Sequence, residues 1–270
     1  MTAREIEKKL AEHGIEEARF EAMLIAEYLT GRTAAQILAD PLAEIEDARL
    51  DGMIERRCER YPLQYLLGEW EFCGMTFRVT PDCLIPRPDS EILAEKAAAL
   101  FPKNGKILDL CTGTGCILAA ALKLSENTQG TAVDLFPNVV KIAEENLARL
   151  GFDCKVITGD ATTDLFDCGV KFDVITANPP YVTADEMDGL EPELAFEPET
   201  ALTDGGDGLS IIRKIVEIYK NHLADGGTML IEHGADQTEA VGNIARENGM
   251  THAVLKDYGG HDRVAVLKKK

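Results

Sequence analysis

The chain has seven cysteines (Cys58, Cys73, Cys83, Cys111, Cys116, Cys154 and Cys168) but no C-x-x-C pair. An odd number without paired spacing gives no support to a zinc site or a disulfide framework, so reduced, mostly buried thiols and no metal are expected. Basic residues are scarce. Lys and Arg number 28 against 47 Asp and Glu, for a net charge of −19. Phosphate binding rewards Lys and Arg, so this balance argues against a general grip on DNA or RNA. The "KKK" at the C-terminus reads as a solvated tail. No apolar run is long enough to cross a bilayer. The N-terminal "MTAREIEKKLAEHGIEE" is charged where a signal peptide would be apolar. A cytoplasmic protein without a membrane partner is expected. There is no internal repeat and no low-complexity tract.

What remains is ordinary globular material. The 270 residues are 45% hydrophobic, which excludes wholesale disorder and leaves room for one large α/β domain or two domains. Residues 1–68 read as a helical domain. "IEEARFEAMLIAEYLTG" repeats apolar residues at helical spacing, and Gly31 is placed to cap it. "TAAQILADP" is a shorter helix, and "AEIEDARLDGMIERRCERYP" carries the stripe Ile45, Leu50 and Ile54. Short helices without strands make a small bundle, either a passive cap or a device for binding a partner. At 69–80 the period changes. Trp70, Phe72, Met75, Phe77 and Val79 alternate around Gly74, predicting a β-hairpin. Three prolines in 81–88 mark a linker, so 69–88 is hairpin and linker.

From residue 89 to 270, strands alternate with helices. The strands read "KILDLC", "GTAVDL", "CKVITGD", "FDVITANPP", "GTMLIEH", "HAVLKD" and "DRVAVLK". This pattern predicts a mostly parallel, doubly wound sheet covered on both faces. The final two strands, joined by "YGGH", predict an antiparallel hairpin at or near the edge.

"LDLCTGTGCI" follows the first strand of that sheet. Gly113 and Gly115 let the backbone approach a ligand and turn into a helix. The loop is not G-x-G-x-x-G, so the glycine spacing for a pyrophosphate is missing. Asp134 ends the next strand, where an acid can accept the hydroxyls of a ribose. Asp109 precedes the loop and Asp160 ends the third strand. An acid at each of three strand ends favours a ligand with a ribose and little negative charge. Asp also caps helices, but three in register with a glycine loop point to a site. S-adenosylmethionine fits: adenosine, ammonium, carboxylate and a positive sulfonium. The expected cofactor contacts are Asp109, Cys111, Thr112, Gly113, Thr114, Gly115, Asp134, Asp160 and Asn178.

"NPPY", residues 178–181, ends the fourth strand. The region resembles class I methyltransferases, and this tetrapeptide resembles the signature of enzymes that methylate a nitrogen conjugated to a π system. An amide nitrogen is a poor nucleophile because its lone pair is delocalised. If Asn178 and the Pro179 carbonyl accept its two hydrogens, the nitrogen is fixed and electron density is pushed onto it. Displacement at a sulfonium then relies on orientation and electrostatic preorganisation. Tyr181 would stack on the planar group, and Pro179 and Pro180 keep the loop stiff.

"LIPRPDSE" (84–91), "QYLLGEWEF" (64–72), "FEPETALTDGGDGLSIIRKI" (196–215) and "DYGGHDRV" (257–264) resemble segments of the release-factor glutamine methyltransferases, the PrmC/HemK family. The resemblance covers essentially the whole chain. It implies an α/β class I S-adenosylmethionine-dependent methyltransferase (Rossmann-like) domain behind a small helical bundle and a β-hairpin linker. It also implies methylation of the glutamine in the GGQ loop of class 1 peptide chain release factors, with residues 1–68 helping to dock them. By position, Asn178, Pro179 and Tyr181 are the catalytic candidates. Residues 178–181, Pro180 included, would meet the glutamine, and Arg87 and Glu91 would wall the site. Two departures stand out: Cys111 replaces the first glycine of the family's "GTGTG", and Ser90 replaces the threonine of "PRPxTE". The competing readings are a nucleic-acid adenine or guanine methyltransferase, a ribosomal-protein glutamine methyltransferase, and a binding module that keeps the fold. The acidic balance opposes the first, "PRPDSE" the second and the intact "NPPY" the third. A monomer is expected.

Overall fold

The structure is a computed structural model and describes residues 1–127 and 129–270. Its contacts divide into two compact units. One comprises 1–69 with 191–196, the other 70–190 with 197–270.

In the first unit, α1 (Ala3–Glu12) starts at a capping box in which Thr2 and Glu5 satisfy each other's backbone N–H. α2 (Ala18–Thr30) stops at Gly31, whose left-handed φ of 66° turns its N–H back to the Glu27 carbonyl. α3 (Ala34–Ala39) repeats the capping box with Thr33 and Gln36. α4 (Leu50–Cys58) is shorter than the stripe from Ile45 predicts. The Ile45 N–H bonds to the Met1 carbonyl at 2.9 Å instead of to a helical partner, yet its side chain still reaches the core. α5 (Leu63–Leu67) ends at Gly68. Ile6, Leu10, Ile25, Ala26 and Ile54 form the centre of this bundle. Buried Arg57 pairs with Glu21 at 2.6 Å and with Glu193 at 3.0 Å, tying segment 191–196 to the helices. Tyr61 meets Phe196 edge-on at 5.3 Å.

The second unit opens with the predicted hairpin, β1 (Glu69–Phe72) and β2 (Met75–Arg78). Cys73 and Gly74 both take positive φ at its turn, the geometry of a two-residue hairpin loop. After α6 (Glu91–Leu100) come β3 (Ile107–Leu110), α7 (Cys116–Leu124), β4 (Gln129–Asp134), α8 (Pro137–Arg149), β5 (Asp153–Thr158) and β6 (Phe172–Ala177). Then follow α9 (Glu199–Leu202), α10 (Ser210–Tyr219), β7 (Leu223–Glu232), α11 (Thr238–Glu247), β8 (Met250–Lys256) and β9 (Asp262–Lys269). The sheet order is β5-β4-β3-β6-β7-β9-β8. The first five strands are parallel, and β9 runs antiparallel between β7 and β8. The predicted final hairpin is therefore present, with its second strand inserted and its first at the edge.

Alternation along the strands divides the core. Ile107, Val174 and Leu230 face α6 and α7, while Leu108, Ile175, Met229 and Ile231 face α10 and α11. The chain runs from β3 outward to β5, then returns to place β6 on the other side of β3. Such a reversal of strand order leaves a crevice beyond the carboxyl ends of β3 and β6, where ligands bind in sheets of this kind.

Candidate active site

The loops after β3 and β6 flank that crevice. Between β3 and α7 the chain takes left-handed φ three times, at Cys111 (56°), Gly113 (55°) and Gly115 (81°). The two glycines serve different ends. A Cβ on Gly113 would meet no protein atom within 4 Å, so this position faces open space in the cavity. A Cβ on Gly115 would meet Leu147 at 3.4 Å and the Ala143 backbone at 3.6 Å, so Gly115 lets α7 pack against α8 and does not line the cavity. Cys111 holds its left-handed turn at some strain, because a side chain there crowds the backbone; burial pushes its thiol up, so it stays protonated.

Asp109 supports the loop from below. It is fully buried and accepts the hydroxyls of Thr112 and Thr176, each at 2.6 Å. Burial pushes its carboxyl up to about 6 against the pull of those two donors. Both oxygens are thus engaged within the fold, and Asp109 does not line the cavity. Asp134 does. Its Oδ2 accepts the Gly113 N–H at 3.0 Å and its Oδ1 the Phe136 N–H at 3.3 Å. Burial raises this carboxyl too, and the backbone donors work against the rise. Asp160 receives the Thr162 N–H at 2.8 Å and hydroxyl at 2.6 Å, both on Oδ1.

The structure brings Cys111, Thr112, Gly113, Thr114, Asp134 and Asp160 into one cavity with Asn178, Pro180 and Arg87. The cavity is open, and with the solvent space at its mouth it spans about 980 Å³. Asn178 Nδ2 donates to Ser90 Oγ at 3.2 Å, and Asn178 Oδ1 accepts nothing among the described residues. Pro179 is buried and is not among the residues that line the cavity. Tyr181 lies to the side of the cavity. Its hydroxyl donates to Glu232 at 3.2 Å, and its carbonyl accepts from Gln237 at 2.8 Å. Glu91 is turned to the hairpin, where it accepts the Cys73 N–H at 2.9 Å.

Sequence reasoning singled out no role for three residues that organise this site. Glu197, almost fully buried, pairs with Arg87 and takes the Ile85 N–H at 3.0 Å, pinning the 81–88 linker over the cavity. Leu135 and Phe136 follow Asp134 and leave apolar surface exposed on the cavity wall. Glu197 sits within the quoted segment 196–215, so its position was visible and its partner was not. The Leu-Phe pair directly after the acid was the available signal for the other two.

Residues 3–68 match the PrmC N-terminal domain, and 88–225 match the methyltransferase small domain. A release factor glutamine methyltransferase of Geobacter sulfurreducens is 37% identical over 260 residues, spanning 94% of this chain and 91% of that protein. One of Cereibacter sphaeroides is 38% identical over 262 residues, spanning 95% and 93%. Among solved structures, a methyltransferase from Pyrococcus furiosus superposes with a TM-score of 0.55 at 18% identity, covering 72% of this chain and 88% of that one.

Proposed function

The chain belongs to the release factor glutamine methyltransferases, and on that premise we propose that it methylates the side-chain amide nitrogen of the glutamine in the GGQ loop of class 1 peptide chain release factors. The methyl donor in this reading is S-adenosylmethionine, which supplies an electrophilic methyl group on a sulfonium. The observation that carries it is the state of Asn178. Its NH₂ is committed to Ser90 and its Oδ1 is uncommitted, in the same cavity as the Gly113 turn and Asp134.

The residues fit that cofactor. Each Asp134 oxygen accepts one backbone N–H and keeps a lone pair for a ribose hydroxyl. Gly113 offers backbone without a side chain toward the cavity, and Leu135 and Phe136 offer apolar surface to a planar base. The cavity lining includes the acids Asp82, Asp134 and Asp160, and Arg87, the one basic residue of the lining among the described residues, is already paired with Glu197. That balance suits a ligand carrying positive charge and disfavours a polyphosphate.

Toward the substrate, Asn178 Oδ1 and the Pro179 carbonyl accept the two amide hydrogens and fix the nitrogen for in-line attack. Acceptors placed before the reaction favour positive charge growing on that nitrogen without reorganising. The N-methylated amide, once formed as a cation, gives its proton to water, so no base of unusual pKa is required. The helical unit docks the protein substrate. Phe20, Leu38 and Leu42, all more than half exposed on that unit, supply apolar surface for it.

Radiolabelled methyl transfer to purified release factor and to nucleic acid, with mass spectrometry of the product, tests the reading. Label confined to the loop glutamine is the expected result. Incorporation into DNA or RNA at matching rates would overturn it.

A further inference from the structure

The chain between β5 and β6 forms one wall of the cavity. Gly159, Asp160, Ala161 and Thr162 line it, and residues 163–171 carry the chain back to β6. At the start of this loop the Gly159 N–H bonds to the Asp134 carbonyl at 2.8 Å. Beyond that, the turn is tied to itself. Asp160 takes the Thr162 N–H and hydroxyl on its carboxylate, and the Thr163 N–H and hydroxyl on its carbonyl at 3.0 and 2.8 Å. Such local bonds shape a turn without fixing where it stands. Leu165, Phe166 and Val170 add apolar contact with the core, but that attraction is non-directional.

The directional anchors come from two side chains. Among the described residues, every hydrogen bond that 160–170 make to the rest of the domain goes to Tyr219 or His222. Tyr219 ends α10 and His222 stands in the turn before β7; both are buried. The Tyr219 hydroxyl donates to the Thr163 carbonyl at 3.0 Å. His222 Nδ1 lies 2.9 Å from the Val170 carbonyl oxygen, and Nε2 lies 2.7 Å from Asp164 Oδ1. A carbonyl and a carboxylate only accept, so making both bonds takes a hydrogen on each ring nitrogen. Phe166 packs edge-on against both rings, at 5.9 Å from His222 and 6.4 Å from Tyr219. The imidazole thus grips the loop at Asp164 and at Val170. Tyr219 grips it at Thr163, the residue that follows the cavity wall and bonds back to Asp160.

We infer that His222, together with Tyr219, is a positioning residue for the cofactor: it fixes the 160–170 loop and so holds Asp160, Ala161 and Thr162 in the cavity wall. Neither His222 nor Tyr219 lines the cavity, so both act through the loop. A loop released from these anchors samples other positions, and the apparent affinity falls with the fraction of time that the wall is in place. Segments held by few bonds open locally while the domain stays folded. The inference rests on the cofactor reading of this cavity proposed above.

The test compares Asp164→Ala, Tyr219→Phe, their combination, His222→Ala, His222→Asn and His222→Gln with wild type, all in the full chain. The Asp164 side chain is more than half exposed, and Tyr219→Phe keeps the buried ring, so these two variants should fold even if replacing His222 does not. Calorimetric titration with S-adenosylhomocysteine should show affinity lowered about threefold or more in each single variant, and about tenfold or more in Asp164→Ala combined with Tyr219→Phe. Asparagine places its NH₂ near the site of Nδ1 and glutamine near that of Nε2, so each should restore part of what His222→Ala loses. KM for S-adenosylmethionine should rise in step, while kcat at saturating cofactor and KM for release factor stay within about twofold of wild type. Amide hydrogen exchange in unliganded Asp164→Ala should quicken within 160–170 and not across the sheet. Wild-type affinity in Asp164→Ala and Tyr219→Phe, or faster exchange spread over the whole domain with kcat falling alongside, would overturn the inference while leaving the cofactor reading intact. A wild-type protein that does not bind S-adenosylhomocysteine would instead remove that reading, and this inference with it.

Discussion

Replacing Asp134 by alanine should weaken binding of S-adenosylmethionine and its demethylated product without unfolding the domain. The carboxylate accepts one backbone N–H on each oxygen and lines the cavity beside the Gly113 turn. A hydrogen bond to a charged group contributes about 1.5–3 kcal/mol. Losing the ribose acceptor should therefore raise the dissociation constant roughly 10- to 150-fold, at about 1.4 kcal/mol per tenfold. The unliganded protein loses its bond to the Gly113 N–H but is relieved of a buried carboxylate, and these effects oppose each other. Its stability should change by no more than about 1 kcal/mol. Asp134→Asn keeps one neutral oxygen acceptor and should fall between. Burial raises the Asp134 pKa, so wild-type affinity should decline as acid titrates the carboxylate from above its ordinary range, and Asp134→Ala should not share that decline. Calorimetric titration with S-adenosylhomocysteine measures all of this. Affinity within about twofold of wild type in the alanine variant would refute the assignment.

Gly208 has φ of 69°, and a Cβ there would lie 2.0 Å from the Tyr181 carbonyl oxygen and 2.6 Å from Gln237 Nε2. Gly208→Ala should cost more than about 2 kcal/mol in urea unfolding and displace the 178–181 turn, lowering turnover as well; a wild-type melt and rate would contradict this. Asp109 titrates near 6 in the fold, above its ordinary value of 3.8. The folded state therefore holds this proton more tightly, and the stability it adds is full at acid pH and lost as pH rises through about 6. Melting curves of Asp109→Asn should lack that decline. Arg57→Ala leaves Glu21 and Glu193 facing each other without their shared cation. Because both acids keep some solvent contact, the expected loss is about 2–3 kcal/mol, below the 3–5 typical of fully buried pairs; a loss under about 0.5 would mean that the cluster is solvated.

Much of this fold was legible because its signals are local. The glycine turn after β3, the Gly31 cap and the hairpin centred on Gly74 each depend on a few adjacent residues. Alternation and strand-end acids located the sheet and the mouth of the site. What escaped depends on partners distant in sequence. Asp109 and Asp134 both stand at the ends of strands. Only the structure shows that threonines 3 and 67 residues away consume the first, while the second keeps acceptors for a ligand. Glu91 could not be told from a wall residue until its bond to Cys73 was seen. Segment 191–196 follows the 178–181 turn in sequence yet packs with the helical unit, because Arg57 and Arg60, 136 and 133 residues earlier, claim Glu193. The insertion of β9 between β7 and β8 likewise leaves no mark in either strand's alternation.

Asn178→Ala measured in a single turnover, with cofactor saturating, tests the central claim most directly. The substitution keeps both prolines, the strand and the glycine loop after β3, and removes the Oδ1 acceptor together with the NH₂ that donates to Ser90. Losing one preorganised hydrogen bond commonly costs on the order of 10²–10³ in rate. The methyl-transfer step should slow by at least that factor, with cofactor affinity changed only modestly. A methyl-transfer rate near that of the wild type would mean that Asn178 merely shapes the turn and that the amide nitrogen is held by something else.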